Sequence, residues 1–379
     1  MRVTGDWLRA APTQAVLRML EAGGHSAYTV GGCVRNALMG VPVSDVDIAT
    51  DARPEQVVAL AQAAGLKPVP TGIDHGTITV VADGIGHEVT TFRADVQTDG
   101  RRAVVRFSDH VEEDATRRDF TMNALYADAR GHVLDPVGGL PDLTARKVRF
   151  IGDARARIRE DYLRILRFFR FTAWYADPSQ GMDPDALSGI ADGLDGLETL
   201  SAERVGQELL KLLGAPDPAP AVACMAQVGA LARVLPGASP DALGPLIHIE
   251  QGAGLAPDPL RRLAVLGVNG SQLRLSRRQQ RRLSDYRAAL GCDNLAETAW
   301  RHGAAFARDV AALRAASLGV PLAPDTDALI AQGVSAVFPV KPRDLMPGLQ
   351  GPDLGKALKD LETRWVASGF SLTKADLLS

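Results

Sequence analysis

The stretch Tyr28-Thr-Val-Gly-Gly-Cys-Val-Arg-Asn-Ala-Leu-Met-Gly-Val-Pro-Val-Ser-Asp-Val-Asp-Ile-Ala-Thr50 decides how this chain is read. Tyr28, Thr29 and Val30 predict a short strand, Gly31-Gly32 a turn whose backbone amides can approach a phosphate, and residues 34–39 the opening of a helix. Asp45-Val-Asp-Ile-Ala49 then alternates as a strand does, which puts Asp45 and Asp47 on one face. Two carboxylates so placed can hold Mg²⁺ ions roughly 3.5–4 Å apart, where metal activates an attacking hydroxyl and stabilises a leaving pyrophosphate. A Gly-Gly turn or a solvated Asp-x-Asp is commonplace alone. Their order and close spacing point to metal-dependent nucleotidyl transfer.

At 379 residues the chain is long enough for several domains with ample cores. Its formal net charge of −3 carries no global nucleic-acid signature, so any basic surface must be local. Cys33, Cys224 and Cys292 are too few and too scattered for a disulfide framework or a cysteine zinc site, which predicts a reducing compartment. Residues 1–11 carry charges and no apolar run long enough for a signal peptide or membrane span, so a soluble cytoplasmic protein is expected. Up to about residue 150 strand and helix signals mix, and Asp83-Gly84 between Thr77–Ala82 and Gly86–Phe92 is a hairpin signal. Beyond Ile151 apolar residues recur at helical spacing, broken near 215 and 320 by Pro/Gly-rich segments. The expected fold is an α+β head, with a mixed sheet and helices, followed by an all-helical remainder.

Two further blocks carry chemistry. Glu112-Glu-Asp-Ala-Thr-Arg-Arg-Asp-Phe120 sets Arg117 and Arg118 where they can clamp triphosphate oxygens, and Arg159-Glu-Asp-Tyr-Leu-Arg-Ile-Leu-Arg-Phe-Phe-Arg-Phe171 predicts one helix bearing Asp161, Arg164, Arg167 and Arg170. With the glycine and Asp-x-Asp motifs in the same order, the chain resembles the class II tRNA nucleotidyltransferases, the CCA-adding enzyme and bacterial poly(A) polymerase family. The resemblance implies a nucleotidyltransferase head (1–150), a helical neck with a base-selection helix (151–215), a helical body (216–320) and a tRNA-binding tail (321–379). It assigns Mg²⁺ to Asp45 and Asp47, and nucleotide contacts to Gly32, Arg35, Arg118, Asp161, Arg164, Arg167 and Arg170. It implies tRNA as partner and CTP and ATP as substrates, with neither DNA nor a membrane involved.

Base selection also stands on its own chemistry. An ionised aspartate only accepts hydrogen bonds and an arginine only donates them. Cytosine and adenine each show an amino donor beside a ring-nitrogen acceptor, whereas uracil and guanine show a carbonyl and a ring N–H there. Asp161 and Arg164, three apart, can therefore read CTP and ATP together without a template.

Asn36 stands where the family usually has Asp, and it is expected to support the arginine or a backbone amide rather than bind metal. Residues 91–102 resemble the family's flexible loop, associated with the switch from C to A addition, and His75 sits in a segment that resembles the CCA-adding branch. Glu88, alternating with Val89, reads first as a solvated strand face and second as a third carboxylate near the metals. In the body Arg277, Arg278, Arg281 and Arg282 lie on adjoining helix faces and can meet RNA phosphates or simply solubilise that surface. The expected activity is template-independent CCA addition to tRNA. Its rivals are a poly(A) polymerase or A-adding enzyme of the same family, and an inactive RNA-binding protein.

Overall fold

The computed structural model describes all residues but 74, 75, 100, 101 and 347, and the backbone alone of 71, 95–99 and 102–105. His75 lies outside the described residues. Two compact units emerge, one of residues 1–238 with 272–274 and one of residues 239–271 with 275–379.

The first unit is built on strands β1 (Ala27–Val30), β2 (Asp47–Thr50), β3 (Lys67–Gly72), β4 (Thr77–Ala82), β5 (Ile85–Thr91), β8 (Tyr126–Ala127) and β9 (Val133–Leu134), with β6 (Arg93–Asp99) and β7 (Arg102–Phe107) forming a separate ribbon. The sheet runs β3-β4-β5-β2-β1-β8-β9, and every neighbouring pair is antiparallel except β2 with β5. Alternation explains which face is covered: Ile78, Val80 and Ala82 on β4 and Val89 on β5 are buried against the Ala11–Ala22 and Pro54–Ala63 helices. The intervening residues Thr77, Glu88 and Thr90 therefore face the other way. The expected hairpin is present, with Ala82 opposite Ile85 and both Asp83 (φ 49°) and Gly84 (φ 78°) left-handed, as a two-residue turn matched to strand twist requires.

Two expectations need correction. The segment expected to resemble a flexible loop carries strand in its described residues: Arg93 to Asp99 pairs antiparallel with Arg102 to Phe107, with a register shift between Asp95 and Gln97. The expected single helix over 159–171 is two, Ala154–Glu160 and Leu163–Tyr175. Asp161 between them is extended (φ −154°) and closes the first helix, and its Oδ1 accepts the Leu163 amide at 3.1 Å, so the residue expected within one helix instead lies in the break between two. Packing among Phe120, Phe150, Phe168 and Phe171, with centroids 4.9–6.3 Å apart, fixes the second helix on the head.

The second unit is helical, and among the described residues no strand follows Leu134. Its buried charges interlock: Glu250 accepts from Arg261 and Arg262, while Asp309 accepts from Arg261, Arg282 and the Tyr286 hydroxyl. The Gly351–Ala367 helix buries Trp365 against Trp300, Phe338 and Phe370. Among the described residues no helix is long and apolar enough to cross a membrane.

Gly31 joins β1 to the Gly32–Leu38 helix with φ 71° and ψ −114°, a conformation open to glycine and strained for any L side chain. Gly31→Ala should therefore lower stability by ~1–3 kcal/mol, read as a fall in Tm by thermal unfolding.

Candidate active site

A cleft of about 430 Å³ opens on the uncovered face of the sheet. Its acidic wall comes from β2 and β5, whose parallel register sets Asp47 directly beside Glu88. Asp47 keeps an exposed edge, yet partial loss of solvent in the cleft, then the Glu88 charge, raises its carboxyl above the ordinary range; Arg118 opposes this and Asp45 adds to it. Asp45 itself precedes β2, is exposed, and accepts from Ser44 Oγ at 2.9 Å. The two carboxylates therefore belong to a loop and a strand rather than to one strand face.

Opposite stand Arg117 and Arg118, both held by Asp114. Arg117 donates through Nε and Nη2 to Asp114 Oδ1 at 2.8 and 2.6 Å, and Arg118 through Nε and Nη2 to Oδ2 at 3.3 and 2.9 Å. Tyr126 adds its hydroxyl to Oδ2 at 2.8 Å. Burial pushes the Asp114 carboxyl up, yet the two guanidinium charges outweigh it and hold it down at about 2. One negative charge is thus answered by two positive ones, and the surplus faces the cleft. A Cβ on Gly31 would lie 3.5 Å from Arg118 Nη1, so the glycine turn lies directly beneath this arginine.

The third wall comes from the helical segments after the head. Asp161 Oδ2 accepts from Arg204 Nη2 at 2.7 Å, and Arg164 donates to Glu160 at 2.5 Å and to the Arg157 and Arg117 carbonyls. Arg167 pairs with Asp119 at 2.7 Å, and this guanidinium outweighs burial to keep the Asp119 carboxyl below its usual range. Asp161 and Arg164 thus share the cleft, each with a different partner.

Not every expected contact reaches the cleft. Arg35 is buried, donating to Asn123 Oδ1 (2.5 Å), Asn36 Oδ1 (2.9 Å) and the Tyr175 hydroxyl (2.8 Å), and stacking on the Tyr175 ring at 4.0 Å. Burial lowers its pKa from the ordinary arginine value. Its geometry is that of a tie between the Gly32–Leu38 and Leu163–Tyr175 helices. Asn36 supports the arginine, as expected, and its amide also donates to the Pro42 carbonyl at 3.0 Å. Gly32 lies beside Arg35 rather than in the cleft wall, and Arg170 pairs with Glu208 at 2.6 Å outside it. In the second unit Arg277, Arg278 and Arg281 are exposed, whereas Arg282 pairs with Asp258 and Asp309 and packs on the Tyr286 ring. Sequence reasoning missed Arg204, because its partner lies 43 residues away, and it did not foresee that Glu88, exposed on its strand, stands beside Asp47. No cluster of three or more His, Cys, Asp or Glu side chains is spaced to hold a metal among the described residues.

Comparison with known proteins agrees with this architecture. Residues 27–149 match the poly A polymerase head domain, and residues 181–241 match a probable RNA and SrmB-binding site of polymerase A. The solved CCA-adding enzyme of Bacillus stearothermophilus in complex with CTP superposes with a TM-score of 0.78 at 32% identity, covering 94% of this chain and 92% of that one. The chain belongs to the family of CCA-adding enzymes built on the poly(A) polymerase head. Curated relatives include the human mitochondrial CCA tRNA nucleotidyltransferase, 44% identical over 190 residues (50% of this chain, 44% of the relative). The CCA-adding enzyme of Geobacillus thermodenitrificans is 41% identical over 224 residues (59% and 54%). The match spans about half the length of these curated relatives.

Because the folded pKa of Asp114 lies below the ordinary 3.8, its contribution is full above pH ~4 and vanishes as pH falls through ~2. Asp114→Asn should cost about 2–3 kcal/mol at neutral pH and flatten the stability curve between pH 4 and 2, measured by urea unfolding.

Proposed function

We propose that the chain adds CCA to tRNA 3′ ends without a template, taking CTP and ATP and releasing pyrophosphate. The observation that carries this reading is the convergence in one cleft of Asp47 and Glu88, the Asp114-anchored arginines, and Asp161 with Arg164. The names of the relatives and the CTP in the superposed structure support it.

Asp45 and Asp47 would hold Mg²⁺. The fit is supported by the register that sets Asp47 beside Glu88 in the cleft, and by the habit of Mg²⁺ of taking one or two protein carboxylates and completing its shell with water and phosphate. When bound, the metal would activate the attacking hydroxyl and offset charge on the departing pyrophosphate. Arg117 and Arg118 hold the triphosphate through Nη1 groups that make no hydrogen bond among the described residues. Asp161 offers its remaining lone pairs and Arg164 its Nε–H to the edge of the incoming base. Arg35 and Arg170 act at one remove, by fixing the helices that carry these groups. The exposed Arg277, Arg278 and Arg281 supply an RNA-phosphate surface.

The division into head, neck, body and tail is kept at 150, 215 and 320, and the boundary between compact units at 238 falls within the body. Three free cysteines support a reducing, cytoplasmic setting.

The reading is tested with tRNA lacking its terminus, and with tRNA ending in C or CC, given each nucleoside triphosphate alone and mixed. Growth that stops after one terminal A is expected; long A tails on unrelated RNA would overturn it in favour of poly(A) polymerase. Asp47→Asn should abolish addition while leaving tRNA affinity, by filter binding, within about threefold. In Asp161→Ala discrimination against UTP and GTP should weaken along with rate, because the pocket loses its acceptor; a slower but equally selective variant would assign Asp161 a structural role.

A further inference from the structure

The uncovered face of the sheet carries a polar feature that nucleotide binding leaves unused. Thr77 on β4 and Thr90 on β5 are register partners, their hydroxyls lie 3.0 Å apart, and both line the cleft. Across the sheet the order is Thr77, then Thr90 and Glu88, then Asp47, then β1 with Gly31 at its end, then Tyr126 with its partner Arg118. In-line displacement puts the attacking and leaving oxygens on opposite sides of the reacting phosphorus. With the triphosphate drawn toward Arg118, beyond β1, the attacking hydroxyl arrives from the β4–β5 side.

We propose that Thr77 and Thr90 bind the terminal ribose of the RNA primer, gripping its 2′-hydroxyl so that the neighbouring 3′-hydroxyl faces Asp47. Each threonine hydroxyl has one proton and two lone pairs, and the bond between them uses one of the two protons. The pair keeps one donor and several lone pairs for the cleft, a match for a 2′-hydroxyl that itself donates and accepts. Branching at Cβ restricts χ1 and holds both groups in place. The same pair also steadies the sheet as cross-strand threonines do, but a purely structural pair is indifferent to the sugar of the primer.

The assignment rests on the nucleotidyl-transfer reading, and its test separates the two. Full-length wild-type protein and the Thr77→Val/Thr90→Val variant are given CTP and tRNA lacking CCA, with the 3′-terminal sugar either ribose or 2′-deoxyribose. Wild type is expected to favour the ribose primer by about fivefold or more in kcat/KM. The valine variant should lose that preference by slowing on ribose alone, with its KM for CTP unchanged, and Thr90→Ser should keep it. A wild type that adds nucleotides without preferring ribose, or a variant that slows equally on both primers, overturns the assignment to Thr77 and Thr90 alone. A wild type that extends neither primer overturns the nucleotidyl-transfer reading and this one with it.

Discussion

The Asp114 carboxylate, shared between Arg117 and Arg118 and closed by the Tyr126 hydroxyl, is the constraint on which the cleft depends. Two adjacent guanidinium groups repel each other, and left to solvent they would point apart. A buried carboxylate with one oxygen for each overcomes that repulsion and turns both forks the same way. Burying Asp114 alone would be costly, and burying it with two cations and a phenol leaves no unmet acceptor. The result is net positive charge held rigidly opposite Asp47 and Glu88, before any substrate arrives.

A second chain of polar contacts carries this order out of the head. Arg35 donates to Asn123, Asn123 donates to Asp119, and Asp119 accepts from Arg167 on the Leu163–Tyr175 helix. Arg35 also reaches Tyr175 at the far end of that helix. The glycine turn beneath Arg118 and the helix carrying Arg164 are therefore positioned by one hydrogen-bonded path. Arg35, which in sequence resembles a nucleotide-contacting arginine, is here one link of that path.

Much of the fold was legible. The Gly-Gly turn between β1 and its helix, the Asp83-Gly84 hairpin and the helical second half all follow from local rules of turn chemistry and periodicity. What was not legible depends on partners distant in sequence. The helix break at Asp161 comes from a carboxylate capping its own chain while bound to Arg204, and the burial of Arg35 depends on Tyr175, 140 residues away. Among the described residues the β6–β7 ribbon forms a two-stranded sheet of its own outside the main one, and its polar sequence carries no clear alternation that would announce it. Glu88 is exposed on its strand, as its alternation predicts, while its place beside Asp47 follows from a parallel pairing that alternation does not reveal.

The parallel pairing of β2 with β5 has a consequence for how the molecule is made. Asp47 and Glu88 meet only after a crossover that includes the Pro54–Ala63 helix, β3 and β4 has been completed, so their contact is a slow, non-local one. A ribosome releases Asp47 well before its neighbour, and through that interval the nascent chain carries its acidic residues as separate, solvated charges. The acidic pair thus comes into being only when β5 joins β2, before the chain has reached β8, whose pairing with β1 extends the sheet on its other side.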